Sequence, residues 1–134
     1  VKGMTAAEAA VREGGVIVML ASAEDGTGGD EFYRCMKEKD DVRDIYADIM
    51  MRGRNETVSD QWMTQILSRI LMRAAVIYVS NADPELVRGY HLIPAATLAA
   101  AMQLAEKMLD NPHATVNAIP DGVSVMVIPK ENAK

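Results

Sequence analysis

The stretch whose residue types could best build a binding site is Ala21 to Tyr33, ASAEDGTGGDEFY. It holds three glycines and four acids between an apolar run and an aromatic pair. Gly26 and Gly28 can adopt positive φ and allow a ligand to approach the backbone closely. Loops that follow a buried strand are also where open α/β sheets usually bind ligands. The pattern favours a site loop, with a flexible turn of no function as the alternative.

This loop does not match a phosphate-binding motif. DGTGGDE lacks both the spacing and the Lys-Ser/Thr pair of a P-loop, and its acids would repel a phosphate. We therefore expect the loop to face a cleft and to act through its shape and backbone contacts. The residues assigned to this role are Ser22, Asp25, Gly26 and Gly28.

Other reactive side chains are isolated in the sequence. His91 and His113 have no third ligand at metal-binding spacing, so packed or surface histidines are predicted and no metal site is assigned. Cys35 has no histidine nearby and lies beside Met36 in a predicted helix, which indicates a small core residue. Ser22 lacks the flanking glycines of a nucleophile elbow.

Composition restricts the class of protein. The chain has 134 residues, 49% of them hydrophobic, which suits one domain with its own core. A formal net charge of -5 argues against nucleic acid and anionic membranes as partners. A single cysteine excludes an internal disulfide framework, and no apolar stretch reaches the roughly 20 residues that span a bilayer. With no secretion signal pattern either, the sequence predicts a cytoplasmic protein.

Hydrophobic patterning predicts alternating helices and strands. Apolar runs predict buried strands at 15–21 and 75–79, and further strands are expected at 114–119 and, as an edge, at 123–128. Helices are expected from a Thr5 cap, at 32–39, at 42–51, after Ser59 or Asp60, at 86–90 after Asp83-Pro84, and from a Thr97 cap, with a break at Pro94. This alternation implies βαβ units and a three-layer α/β domain with a mostly parallel sheet.

Several segments carry a family resemblance. They are VKGMTAAEAAVREGGVIVMLASAEDGTGGDEFY, DQWMTQILSRIL, VIYVSN, PAATLAAAM and IPDG. Together they resemble the C-terminal domain of the nickel-dependent lactate racemase family, which comprises nickel-pincer 2-hydroxy acid racemases and epimerases. The resemblance extends over nearly the whole chain and is most specific at Lys2-Gly3-Met4, Gly14-Gly15, 22–28 and Trp62/Gln65. It implies that residues 1–134 form one domain of a larger racemase whose N-terminal catalytic domain is absent from this chain.

The resemblance also implies an activity. Members of this family interconvert 2-hydroxy acid stereoisomers by hydride transfer, using a nickel-pincer nucleotide held by the N-terminal domain, while the smaller domain closes over the substrate. The family's catalytic lysine falls on Lys2 and its aromatic substrate-binding residue on Trp62. The expected partners are the N-terminal domain and a small 2-hydroxy acid. No cofactor is expected in this fragment, which should be inactive alone.

Two other classes of function stay open. The chain could be a free-standing nucleotide-binding or small-ligand module whose site is the glycine-rich loop, or a structural domain that packs against a partner. A helical pattern already under way at the first residues favours a piece of a larger enzyme. From the usual burial of each residue type alone, we would expect Lys2 to be a solvated lysine and Trp62 to be a core residue.

Overall fold

The computed structural model describes residues 1–24 and 26–128. Its elements are α1 (Lys2–Ala10), β1 (Val16–Leu20), α2 (Asp30–Lys37), α3 (Val42–Met51), α4 (Gln61–Arg73), β2 (Ala75–Val79), α5 (Pro84–Gly89), β3 (Ile93–Ala95) and α6 (Leu98–Leu109). The strands form one parallel sheet in the order β1-β2-β3. Ile17 is opposite Val76, and Ile77 is opposite Ile93.

Alternation of side chains along the strands divides the core into two parts. On one face, Ile17 and Val76 pack in a cluster with buried apolar residues of α1 to α5. On the other face, Ile77 packs with Ala101 and Ala105 of α6. Helices therefore cover both faces of the sheet, and the predicted three-layer α/β fold with a parallel sheet is confirmed.

Helix caps agree with the sequence in part. The Thr97 hydroxyl accepts from the Ala100 N–H at 3.1 Å, and the Asp83 carboxylate accepts from the Glu85 N–H at 2.8 Å, as predicted. The Thr5 cap is wrong, because α1 already includes Lys2 and the Thr5 hydroxyl donates to the Lys2 carbonyl inside the helix. Asp60 precedes α4 but its side chain makes no capping bond.

The strand predictions in the last third of the sequence are wrong. Ile93–Ala95 forms β3 despite Pro94, because an edge strand bonds a neighbour on one side only and tolerates a missing N–H. Segments 114–119 and 123–128 contain no strand. At Asp121 the carboxylate accepts from the N–H groups of Val123 and Ser124, which turns the chain.

Across residues 1–24 and 26–128, each helix is too short or too polar to cross a membrane.

Candidate functional site

A cavity of about 450 Å³ lies at the edge of the sheet where the strands end. The segment after β1 forms one wall, and the starts of α1 and α4 form others. Leu86 and Val87 of α5 also line the cavity. Most lining side chains are apolar, including Met4, Met19, Met63, Leu67, Leu86 and Leu92. Ligand sites in parallel α/β sheets usually lie at this edge.

Every predicted site residue that the structure describes lines this one cavity. Lys2, Ser22, Gly26, Gly28 and Trp62 come from three separate parts of the chain and converge there. Asp25, which was assigned to the same loop, lies outside the described residues. The structure thus brings the proposed site residues together, while their roles stay predictions.

Lys2 gives the cavity its positive charge. Among the described residues that line the cavity, it is the one charged side chain. Its side chain is exposed, and no carboxylate of residues 1–24 or 26–128 lies within 4.0 Å of its ammonium group. An ammonium group beside an apolar cavity can hold the carboxylate of a small ligand.

Trp62 lies at the rim of the cavity, in the first turn of α4. Its side chain is 50% exposed, whereas Leu67 of the same helix is 1% exposed. Tryptophan is usually a core residue, but Trp62 does not occupy a core position. A large ring at the rim can cover a ligand and exclude water from it.

Residues 21–24 and 26–29 are called here the glycine loop. Gly26 has φ of 63° and Gly28 has φ of 68°, a backbone region that other residues rarely adopt. A Cβ atom at either position would meet no atom of residues 1–24 or 26–128 within 4 Å. These glycines are therefore required by the backbone conformation and not by lack of space.

Two tyrosines that the sequence did not assign to the site line the same cavity. The Tyr78 hydroxyl donates to the Ser22 carbonyl at 3.3 Å, and the Tyr90 hydroxyl donates to the Thr27 carbonyl at 2.5 Å. Burial raises the pKa of both phenols, so both stay protonated and able to donate at neutral pH. The position of Tyr78 near the end of a predicted strand was a usable signal, but nothing local marked Tyr90.

The Tyr90 ring packs in an aromatic cluster with Phe32 and Tyr33. Its ring centroid lies 4.9 Å from that of Phe32 and 5.0 Å from that of Tyr33. A Cβ atom at Gly89 would come within 2.5 Å of the Tyr33 ring. Gly89 of α5 therefore makes room for the Tyr33 ring.

Cys35 and His91 lie in packed positions, whereas His113 is exposed. Cys35 is buried, and burial raises the pKa of its thiol, which agrees with a core residue. The His91 Nε2 atom lies 2.8 Å from the Met36 carbonyl oxygen. In the described part of the chain, no group of three His, Cys, Asp or Glu side chains could hold a metal ion.

Comparisons with known proteins agree with one another. The family model described as the lactate racemase C-terminal domain matches residues 1–127. The lactate racemases of Thermoanaerobacterium thermosaccharolyticum and Lactiplantibacillus plantarum are 48% and 44% identical to this chain over 128 residues. Each alignment covers 95% of this chain and 30% of the relative.

A solved structure gives the same result. The lactate racemase apoprotein from Thermoanaerobacterium thermosaccharolyticum matches with a TM-score of 0.92 and 46% identity. This match covers 96% of this chain and 31% of that one. The chain therefore spans less than a third of the length of the relatives that it matches.

Proposed function

Because this chain belongs to the lactate racemase C-terminal domain family, we propose that it is the C-terminal domain of an isomerase that interconverts the stereoisomers of a 2-hydroxy acid. The chain would supply one side of a substrate cleft, and the larger remainder of the enzyme would supply the other. One observation carries this proposal. Lys2, Trp62 and the glycine loop, which are far apart in sequence, line one cavity.

The chemistry of the cavity suits a small hydroxy acid. The Lys2 ammonium group would bind the substrate carboxylate or stabilise negative charge that develops on oxygen during the reaction. The Trp62 ring would cover the substrate and exclude water. The glycine loop, whose Gly26 and Gly28 present bare backbone, would shape the wall beside the substrate.

The resemblance implies that a nickel-pincer nucleotide supplies the hydride chemistry at C2. The residues described here do not fit that group. They offer no set of metal ligands, and the one histidine ring nitrogen with a close partner, Nε2 of His91, faces the Met36 carbonyl. We therefore assign the cofactor to the part of the enzyme outside this chain.

The remainder of the enzyme is the proposed partner of the cavity mouth. The relatives extend well beyond the region matched by this chain. Lys2 is exposed and Trp62 is half exposed, so both are free to meet a substrate held by a second domain. Closure of the two domains would remove water from the reacting groups. A cytoplasmic location for this enzyme stays a prediction.

The test compares the full-length enzyme with residues 1–134 alone. We expect the full-length enzyme to interconvert D- and L-lactate or a related 2-hydroxy acid, and the isolated chain to be inactive even with nickel and cofactor supplied. A mock purification without the enzyme is the control for contamination. Racemisation by the isolated chain would contradict the domain assignment. Tight binding of a nucleotide to that chain by calorimetry would favour a free-standing binding module.

A further inference from the structure

Among residues 1–24 and 26–128, the long-range hydrogen bonds from side chains to the glycine loop all come from one segment of the chain. Tyr78 of β2 bonds its Ser22 carbonyl, and Tyr90 at the end of α5 bonds its Thr27 carbonyl. Between them in sequence, the Asn81 side-chain oxygen accepts from the Ala23 N–H at 3.4 Å. All of these side chains belong to residues 78–90, the segment that runs from β2 through α5.

The bonds made inside the glycine loop are short-range. The Ser22 hydroxyl accepts from the Glu24 N–H, and the Gly26 N–H donates to the Ala23 carbonyl at 3.1 Å. Such bonds shape a turn but do not fix it against the sheet. Glycine carries more backbone freedom than any other residue, so a loop rich in it gains much entropy when its attachments are lost.

We propose that Tyr78 and Tyr90 are positioning residues that hold the glycine loop in place as a wall of the substrate cavity. Each hydroxyl acts through a backbone carbonyl of the loop. The two bonded carbonyls, of Ser22 and Thr27, flank the part that contains Gly26. The identity of the substrate rests on the proposed function, but the attachment of the loop does not.

Loss of either hydroxyl leaves a loop carbonyl without its donor. Net contributions of single hydrogen bonds correspond to changes of about fivefold in an equilibrium. Tyr78→Phe and Tyr90→Phe should therefore speed hydrogen exchange at the loop amides by about fivefold or more. In the full-length enzyme, KM for the hydroxy acid should rise by a similar factor while kcat changes less than about twofold, because the reacting groups are untouched.

The experiment uses the full-length enzyme with Tyr78→Phe, Tyr90→Phe and the control Tyr33→Phe. The Tyr33 ring packs against Tyr90, but its hydroxyl has no hydrogen bond within the described ranges. Exchange at residues 21–29 is followed by mass spectrometry, and racemisation is measured on the same samples. Faster loop exchange with raised KM in the two test variants, and wild-type behaviour in the control, supports the proposal.

Other results overturn it. Unchanged exchange would show that the hydroxyls do not hold the loop. A raised KM with unchanged exchange would mean that a hydroxyl contacts the substrate directly. The same effects in Tyr33→Phe would attribute them to aromatic packing. A wild-type enzyme with no racemase activity would end the proposed function, while the exchange data would still decide whether the tyrosines hold the loop.

Discussion

Lys2 and Trp62 line one cavity from two helices, α1 and α4, that an ion pair joins. The Glu8 carboxylate of α1 receives two hydrogen bonds from the Arg69 guanidinium of α4, at 2.8 and 2.7 Å. Arg69 and Trp62 belong to the same helix, as do Glu8 and Lys2. The relative position of the two site residues therefore depends on how these helices pack.

Replacing Lys2 with alanine should reduce turnover without reducing stability. Its side chain is exposed and has no carboxylate within 4.0 Å in the described part of the chain, so folding loses little. Loss of a charge that binds the substrate carboxylate or a developing oxyanion should cost about 2 kcal/mol or more in transition-state binding. Racemisation rates and thermal melts of the full-length variant test this. An unchanged rate would remove Lys2 from the site.

Replacing Trp62 with alanine should give a smaller loss of stability than truncation of a core residue. Trp62 is already half exposed, so we expect about 1–2 kcal/mol, against about 3–5 kcal/mol for a buried tryptophan. Turnover should fall more than the melts explain, because the rim of the cavity opens to water.

Leu67→Ala is the matched control on the same helix. This side chain is 1% exposed, and its truncation should cost about 2–5 kcal/mol of stability. A Trp62→Ala variant that is as unstable as Leu67→Ala, with normal turnover of its folded fraction, would contradict the rim assignment.

Glycines of two kinds should respond differently to alanine. At Gly26 the obstacle is positive φ, so Gly26→Ala should cost about 1 kcal/mol and Gly26→Asn less, since asparagine tolerates this region. At Gly89 the obstacle is the Tyr33 ring, so asparagine there should be worse than alanine. Denaturant unfolding of the four variants separates the two causes. The same ranking at both positions would contradict this reading of the glycines.

The order of elements could be predicted because its causes are local. Thr97 and the Asp83-Pro84 pair predict the starts of their helices because they are capping residues, and the apolar run at 75–79 predicts β2. The strand β3 could not be predicted in this way, because Pro94 reads as a breaker until its place at a sheet edge is known. The expected strand at 123–128 failed for a related reason. Alternation describes a strand only where a neighbour can accept its backbone bonds.

The site was predictable only in part. The glycine loop could be predicted from its place after a buried strand. Lys2 and Trp62 were predicted from the family resemblance, because the residues around them in sequence give no sign of a site. The bond from Tyr90 to Thr27 joins residues 63 positions apart. Such a contact depends on how α5 packs beside the loop, which composition and periodicity do not determine.

Stability should fall at high pH because of Tyr78 and Tyr90, which are half-buried and buried. Burial raises the pKa of Tyr78 and Tyr90 above the ordinary value of 10.0, so the folded state holds these protons more tightly than the unfolded state. The resulting stability is complete below about pH 10 and is lost as pH rises through the folded pKa. Urea unfolding between about pH 8 and 11 should show a shallower decline for Tyr90→Phe than for the wild type. Parallel declines in the free energy of unfolding of the two proteins would contradict this role of Tyr90.

The ion pair between Glu8 and Arg69 should couple stability to substrate affinity. The Glu8 side chain is mostly buried, with 15% exposed, and the hydrogen bonds that Arg69 donates to the Glu8 carboxylate raise the pKa of Arg69. A double-mutant cycle with Glu8→Gln and Arg69→Met should give a coupling energy of about 0.5–1.5 kcal/mol that falls with added salt. KM should rise in each single variant and no further in the double variant, because either change releases α1 from α4.

The pair Glu85 and Arg88 within α5 is the control, with a coupling of about 0.3 kcal/mol and unchanged KM. Additive effects of Glu8 and Arg69 on KM would show that the pair does not place Lys2 relative to Trp62.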